Sequence, residues 1–197
     1  MIDEKKSIKE VEKLLMGESN FYIKTVFQFN KGIDHIFQLI SDAYILYSNN
    51  SYPSSAFLSI AIIEEVARLH MGVFINESNE YKKKDKLRDH KTKEVIGVNY
   101  TVSMSERIKA VMDLNNLEEI YNMTYSGELK KLREKSIYCE CKDNELVVPK
   151  EIVNKNFSRN ILLFAIESFD DNLVGYTEYS IDVSKKTDII FENLAKL

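Results

Sequence analysis

Residues 54–75 read SSAFLSIAIIEEVARLHMGVFI, and this stretch decides the fold. Apolar side chains would lie on nearly every side of a helix with this sequence, which is typical of a helix that is buried all round. Two adjacent carboxylates, Glu64 and Glu65, interrupt the apolar run, and Arg68 follows one turn later. Because a lone buried charge is very costly, the stretch predicts a central helix whose charges need partners.

The composition of the chain also favours long helices with few connections. Only six glycines and two prolines occur in 197 residues, which disfavours a β fold with many turns. Hydrophobic residues make up 44% and charged residues 29%, as in an ordinary globular protein. We expect one all-α domain over residues 1–197, built as a helical bundle of four main helices with extra short helices.

Helical periodicity and capping residues place the individual elements. Asn20, Ser126 and Ser184 are expected as N-caps, and Ser103 with Glu106 matches a capping box. The predicted helices cover residues 7–16, 21–47, 54–75, 105–123, 127–140, 149–173 and 185–195, and an extended loop or short strand is expected at 143–148.

Residues 77–101 have the least regular pattern. They contain lysine-rich turns and then an apolar run, residues 95–98, that is expected to end an element. Within this segment, residues 80–93 hold seven basic side chains against three acidic ones. A local basic patch is one interpretation and a solvated charged face is the other. The whole chain carries a net charge of −4, so it has no global attraction for nucleic acid.

Cysteine usage and the short apolar runs predict a cytoplasmic protein. Cys139 and Cys141 are too close together to staple a fold and supply only two thiolates to a zinc site, so we expect reduced thiols. No apolar run reaches about 18 residues, so we expect no membrane span. The polar residues 1–6 are not followed by an apolar run of the signal-peptide type.

The paired glutamates have two interpretations. Arg68 follows Glu64 by four residues and Glu65 by three, so an ion pair on the surface of one helix is the first. The apolar surroundings favour the second, in which at least one carboxylate points into the bundle and meets a cation from another helix. Arg133 is the natural partner, because a guanidinium can hold a carboxylate through two parallel hydrogen bonds.

His90 is the histidine whose neighbours point most clearly to chemistry. Arg88, Lys91 and Lys93 beside it could bind phosphate. Neighbouring cations also favour a neutral imidazole, which can take a proton from a ribose hydroxyl. The alternative is a solvated basic loop.

The sequence lacks the motifs of several other kinds of catalytic site. A di-metal carboxylate site uses Glu-x-x-His pairs, and none of His35, His70 and His90 has a glutamate three residues before it. The chain has no His-Glu-x-x-His, P-loop or Gly-x-Gly-x-x-Gly motif. We therefore expect neither a metal nor a cofactor. Tyr138 carries a phenol that is a poor base at neutral pH but can position a phosphate.

Three motifs follow one another in a set order: Glu64-Glu65 before a basic residue, His90-x-x-Lys93, and Leu132-Arg133-x-x-x-x-Tyr138. Together they resemble the AbiV family of bacterial abortive infection proteins, which belongs to the HEPN superfamily of helical domains. The resemblance covers about residues 54–141 by motif and implies a HEPN-like bundle, often dimeric, that acts against phage. Many HEPN proteins are metal-independent ribonucleases with an Arg-x(4–6)-His motif near a helix end. Arg133 would take the arginine role, whereas Tyr138 stands at the histidine position.

Two alternative functions are open, and the resemblance implies the first. In the first, the chain is a homodimeric phage-defence effector that arrests translation or phage growth by cutting or binding RNA or the translation machinery, with a phage-encoded protein as its activator. In the second, it is a non-catalytic helical module that binds phage or host proteins or RNA. The residues expected to carry catalysis are Arg133 as phosphate clamp, His90 as general base, Tyr138 as positioning group and Glu64 or Glu65 as orienter of Arg133, and those expected to bind RNA or phosphate are Arg68, Arg88, Lys91 and Lys93.

Overall fold

Four long helices form the core of the protein. A computed structural model describes residues 18–78, 85–104 and 106–197. The four helices are α1 (Val26–Ser48), α2 (Tyr52–Phe74), α8 (Lys155–Leu173) and α9 (Glu178–Ala195). The second of them packs against α1 and α8, while α9 covers both α1 and α8. The all-α prediction is confirmed, and the apolar stretch around Glu64 forms a largely buried central helix, although a larger share of the residues of α8 is buried.

Shorter elements surround these four helices. They are the helices α3 (His90–Met104), α4 (Glu106–Val111), α5 (Leu114–Ser126), α6 (Glu128–Lys135) and α7 (Pro149–Ile152), and the strands β1 (Glu18–Ser19), β2 (Asn76–Glu77), β3 (Glu140–Lys142) and β4 (Glu145–Val147). The first two strands pair in parallel, and the last two form an antiparallel hairpin. Within the described ranges, no helix combines the length and the apolar character that crossing a bilayer requires.

The helix α3 crosses α2 at a very short distance. A Cβ atom on Gly97 would lie only 2.6 Å from the carbonyl oxygen of Ile63, so the crossing requires glycine. Ser168 of α8 donates a hydrogen bond of 2.7 Å to the carbonyl oxygen of Gly97, so α8 also contacts α3 at this crossing. Glu64 directly follows Ile63, and its side chain contacts the first turns of α3. The close crossing therefore fixes the geometry of the polar site.

Capping residues explain two boundaries that the sequence prediction placed wrongly. The helix predicted at 21–47 begins only at Val26, because Thr25 rather than Asn20 is its N-cap and accepts a hydrogen bond from the backbone N–H of Gln28. The helix predicted at 105–123 is two helices, since the Asp113 carboxylate accepts from the backbone N–H of Asn115 and starts α5.

The C-terminal half was also predicted with too few breaks. Glycine at position 127, with φ of +79°, separates α5 from α6, so Ser126 is the last residue of a helix and not a cap. The helix predicted at 149–173 is interrupted before Asn154, which caps α8. The final helix starts at a Thr177 cap, and Ser184 lies inside it.

The sequence prediction missed α3. Residues 95–98, predicted to end an element, are instead a buried part of its interior. Ser103, predicted as part of a capping box, also lies within this helix. The reason is burial: α3 is enclosed on several sides, so its apolar residues do not repeat along one stripe. The predicted helix at 7–16 lies outside the described residues.

Replacing Gly97 with alanine is expected to lower the free energy of unfolding by about 1–3 kcal/mol, because the new Cβ would overlap a backbone oxygen. Gly32→Ala is the matched control, since its Cβ would meet only side-chain atoms of Leu69 and no backbone atom. Both substitutions gain the same helix propensity. Urea unfolding followed by circular dichroism measures the difference, and an equal or larger loss in Gly32→Ala would contradict the close crossing.

Candidate functional site

The carboxylate of Glu64 is the centre of a polar cluster inside the bundle. Its side chain is 4% exposed and points away from α2 toward two other helices. Nδ1 of His90 lies 2.6 Å and Nζ of Lys93 lies 3.0 Å from its Oε2 atom. Nη1 of Arg133 lies 3.3 Å from Oε1 and donates a hydrogen bond of 3.4 Å to Oε2. The structure thus brings together four of the predicted site residues around one buried charge.

The two neighbours of His90 fix the role of each ring nitrogen. The carboxylate of Glu64 is an acceptor for Nδ1–H, while Nη2 of Arg133 lies 3.4 Å from Nε2. A guanidinium can only donate, so Nε2 must offer its lone pair in this arrangement. The geometry therefore favours the tautomer with hydrogen on Nδ1, and the side chain of His90 is 34% exposed.

Local sequence explains why His90 stands at the first turn of α3. The carboxylate of Asp89 accepts hydrogen bonds of 2.8 Å from both the backbone N–H and the hydroxyl of Thr92. This is the geometry of an N-cap and starts the helix directly after Asp89. Lys93 lies three residues after His90 and so on the same face of α3, which brings both side chains to Glu64.

Arg133 closes the cluster from the last turn of α6. Its guanidinium carbon lies 5.9 Å from the centre of the Phe57 ring, and its side chain is 17% exposed. The buried Nε atom has no hydrogen-bond partner among the described residues. A guanidinium next to an imidazole can bind the oxygens of an anionic ligand through its Nη donors. The two parallel hydrogen bonds predicted between Arg133 and a carboxylate are not formed.

Glu94 belongs to the cluster although the sequence did not single it out. It is fully buried on α3, and neither of its carboxylate oxygens has a hydrogen-bond partner among the described residues. Burial and the neighbouring charge of Glu64 raise the pKa of Glu94 from 4.5 to about 8, against the opposing effect of Arg133 and Lys130. Glu94 is therefore mainly protonated at neutral pH.

The protonated Glu94 leaves the cluster with a positive excess. Lys93 and Arg133 carry two positive charges against the single negative charge of Glu64, while protonated Glu94 adds none. Lys130, one turn before Arg133 on α6, is exposed and contributes a further positive field at Glu94. The site is thus suited to attract an anion such as a phosphate.

Other predicted site residues do not join this cluster. Glu65 points about 100° away from Glu64 and pairs instead with Arg68 at 3.3 Å, on the helix surface. The guanidinium of Arg68 lies 4.1 Å from the centre of the Phe21 ring. The phenol of Tyr138 is 67% exposed in the turn after α6. Helix α6 ends at Lys135, between Arg133 and Tyr138, so this exposed side chain lies beyond the helix that carries the guanidinium.

The remaining basic residues of the prediction lie outside the cluster. Arg88 and Lys91 are exposed on either side of His90 along the chain. Of the other histidines, His70 is buried, with Nδ1 2.8 Å from the carbonyl oxygen of Asn172, and burial lowers its pKa. Over residues 18–78, 85–104 and 106–197, no three His, Cys, Asp or Glu side chains are grouped so that they could hold a metal ion.

The start of α3 and the position of Glu94 can both be recognised in the sequence, although they were not predicted from it. Asp89 and Thr92 have the spacing of an N-cap with its third helical residue, which marks the start of α3. Once that start is known, Glu94 falls four residues after His90 and on the same face. The contact of Phe57 with Arg133 had no such signal, because it joins two helices that are distant in the chain.

Replacing Glu94 with glutamine is expected to stabilise the protein by about 1–3 kcal/mol at pH 8 and by much less at pH 5. The native state favours the protonated carboxyl, so its contribution to stability is complete below pH 4.5 and is lost as the pH rises through about 8. Glutamine keeps the shape but cannot ionise. Thermal unfolding at both pH values tests this, with the exposed Glu106→Gln as control. An equal change at both pH values would contradict a raised pKa.

Comparison with known proteins agrees with the motifs and the fold. No curated protein and no solved structure matches this chain significantly. Residues 28–169 match the profile of the AbiV family, described as HEPN_AbiV. The matched segment begins in α1 and ends in α8, so it contains three long helices of the bundle and every residue of the polar cluster. The chain therefore belongs to the AbiV family of HEPN-type abortive infection proteins.

Proposed function

We propose that this protein acts in abortive infection as a metal-independent endoribonuclease. The observation that carries the proposal is the arrangement around His90, in which one ring nitrogen is held by Glu64 and the other faces the guanidinium of Arg133. A carboxylate that orients an imidazole, together with a cation next to its free nitrogen, supplies a general base and a phosphate clamp. Both functions are needed to cut RNA without a metal.

The reaction uses the ribose 2′-hydroxyl as its nucleophile. Nε2 of His90 removes the hydroxyl proton while the 2′ oxygen forms a bond to the adjacent phosphorus. The bond from phosphorus to the 5′ oxygen breaks, which leaves a 2′,3′-cyclic phosphate and a 5′ oxygen that takes a proton from water. Glu64 stabilises the imidazolium that forms, because its carboxylate already accepts the Nδ1 hydrogen at 2.6 Å.

Two cations take up the negative charge that develops on the phosphate. Nη2 of Arg133 lies 3.4 Å from Nε2 of His90, and the ammonium of Lys93 lies 3.0 Å from the Glu64 carboxylate that holds the other ring nitrogen. Charge-assisted hydrogen bonds to the non-bridging oxygens are worth more in this poorly hydrated site than in water. Arg88 and Lys91, which are exposed next to His90, are proposed as outer contacts to the RNA backbone.

A non-catalytic interaction module is the second candidate function, and burial is the observation that favours it. The side chain of Lys93 is 8% exposed and that of Arg133 is 17% exposed. Cations this far from solvent also serve to neutralise Glu64 and hold α2, α3 and α6 together. In that case the cluster would be purely structural, and phage or host molecules would bind elsewhere on the surface.

The homodimer, the phage-encoded activator and the action on RNA or the translation machinery remain predictions that come from the family resemblance. Light scattering coupled to size exclusion at several protein concentrations measures the first of these. A mass that stays at one chain at all concentrations would contradict the dimer.

Arg133→Ala is expected to abolish growth arrest in cells and RNA cleavage by the purified protein, with a loss of at least about 100-fold in rate. The reason is that the transition state loses its phosphate clamp. Lys131→Ala, on an exposed position of the same helix, is the matched control and should keep both activities. Circular dichroism establishes whether the variants are folded. A folded Arg133→Ala protein with full activity would contradict the clamp.

Cleavage of total RNA and of tRNA by the purified protein is expected to survive EDTA and to disappear in His90→Ala, because the base is the imidazole and not a metal-bound water. Analysis of the cleaved ends should show 2′,3′-cyclic phosphates. Tyr138→Phe serves as the control, since its exposed phenol lies outside the cluster and its loss should leave the rate unchanged. An absence of cleavage, with growth arrest unaffected by His90→Ala, would favour the interaction module.

A further inference from the structure

A cleft on the side of the bundle formed by α5, α6 and α8 is not used by the proposed reaction. Its volume is about 320 Å³, within the range of ligand-binding sites. Ile120, Met123 and Phe157 supply apolar surface, while side-chain amides line the cleft at Asn116 and Asn156. Neither of these two amides pairs with another side chain in the described part of the protein.

A shallower groove continues the cleft along α5. It shares Glu119 and Met123 with the cleft, has a volume of about 470 Å³ and is also lined by Glu118, Asn122 and Glu128. Among the lining residues of the cleft and the groove there is no lysine, arginine or histidine. A surface with carboxylates and no cation repels phosphate, so its ligand is not a nucleic acid.

We propose that this amide-lined groove, formed by the cleft and its continuation along α5, binds an extended, basic segment of a partner polypeptide. A primary amide donates and accepts hydrogen bonds at once, as does each residue of an extended peptide backbone. Asn116, Asn122 and Asn156 can therefore pair with both the N–H and the C=O groups of such a segment. The carboxylates of Glu119 and Glu128 can pair with its lysine or arginine side chains, and the apolar floor takes an aliphatic residue between them.

The length of α5 sets the length of the segment. Its 13 residues rise about 20 Å, which an extended chain covers with about six residues. Leu132 also lines the cleft and directly precedes Arg133 in α6. A bound segment would thus contact the helix that carries the guanidinium of the polar cluster, although binding itself does not depend on ribonuclease activity.

Fluorescence polarisation with the full-length protein tests the proposal. The probe is a labelled peptide of about ten residues in which lysines alternate with threonine and leucine, which favours an extended chain. The same peptide with glutamate in place of lysine tests whether binding requires positive side chains. A version N-methylated at alternate backbone nitrogens tests whether binding requires hydrogen bonds from the peptide backbone. Labelled oligouridine of similar length tests for nucleic acid. The protein variants are Glu119→Lys and Asn116→Ala/Asn156→Ala, with Glu192→Lys on the exposed face of α9 as the control for overall charge.

We expect the lysine peptide to bind at least about tenfold more tightly than the glutamate or N-methylated peptides. Glu119→Lys and the double asparagine variant should each weaken binding at least about tenfold, while Glu192→Lys should bind like the unaltered protein. No binding of the lysine peptide, equal binding of all peptides, or an equal loss in Glu192→Lys would overturn the proposal. Oligouridine binding that Glu119→Lys strengthens would also overturn it. Melting curves of each variant establish that it is folded.

Discussion

The structure depends on one buried negative charge, the carboxylate of Glu64. A carboxylate that is 4% exposed on an apolar helix is not tolerated without compensation, and here cations from two other elements provide it. Lys93 and His90 bring α3 to α2, and Arg133 brings α6 to both. Removing the Glu64 carboxylate would leave the poorly exposed cations Lys93 and Arg133 without their counter-charge, at a cost of about 3–5 kcal/mol. The interaction that positions the helices is therefore the same one that assembles the candidate site.

The contact between Gly97 and Ile63 sets the distance between α3 and α2 at the polar cluster. Because α3 lies so close to α2 that a Cβ atom on Gly97 would be 2.6 Å from the carbonyl oxygen of Ile63, Glu64 meets α3 one turn from the crossing. That geometry also encloses Glu94, whose carboxyl has no hydrogen-bond partner among the described residues. A buried carboxyl without a partner lowers stability at neutral pH, so its presence is not explained by folding alone. Groups that weaken the fold in this way commonly occur where a protein binds or reacts.

The sequence predicted the part of this arrangement that depends on burial. A charge inside the apolar helix 54–75 had to meet a cation, and Arg133 is one of its partners, although Lys93 lies closer and was not predicted to pair with it. The sequence alone does not show whether Glu64 or Glu65 points inward, because that depends on how α2 is rotated in the bundle. Helix α3 was not predicted, because burial on several sides removes the periodicity of its apolar residues. Without that helix, the position of Glu94 could not be predicted either. The all-α fold was predictable from composition, whereas the exact ends of helices followed capping residues such as Thr25 and Asp113.

The protonation state of Glu94 determines the sign of the charge in the candidate site. While it is neutral, Lys93 and Arg133 outweigh Glu64 and the cluster attracts a phosphate. As the pH rises through about 8, ionisation of Glu94 balances the two cations and removes that excess. The groups that face this carboxyl act in opposite directions, with Glu64 and Asp89 opposing its ionisation and Arg133 and Lys130 favouring it. The proposed affinity of the cluster for RNA should thus fall as the pH rises through about 8, because Glu94 then adds a second negative charge.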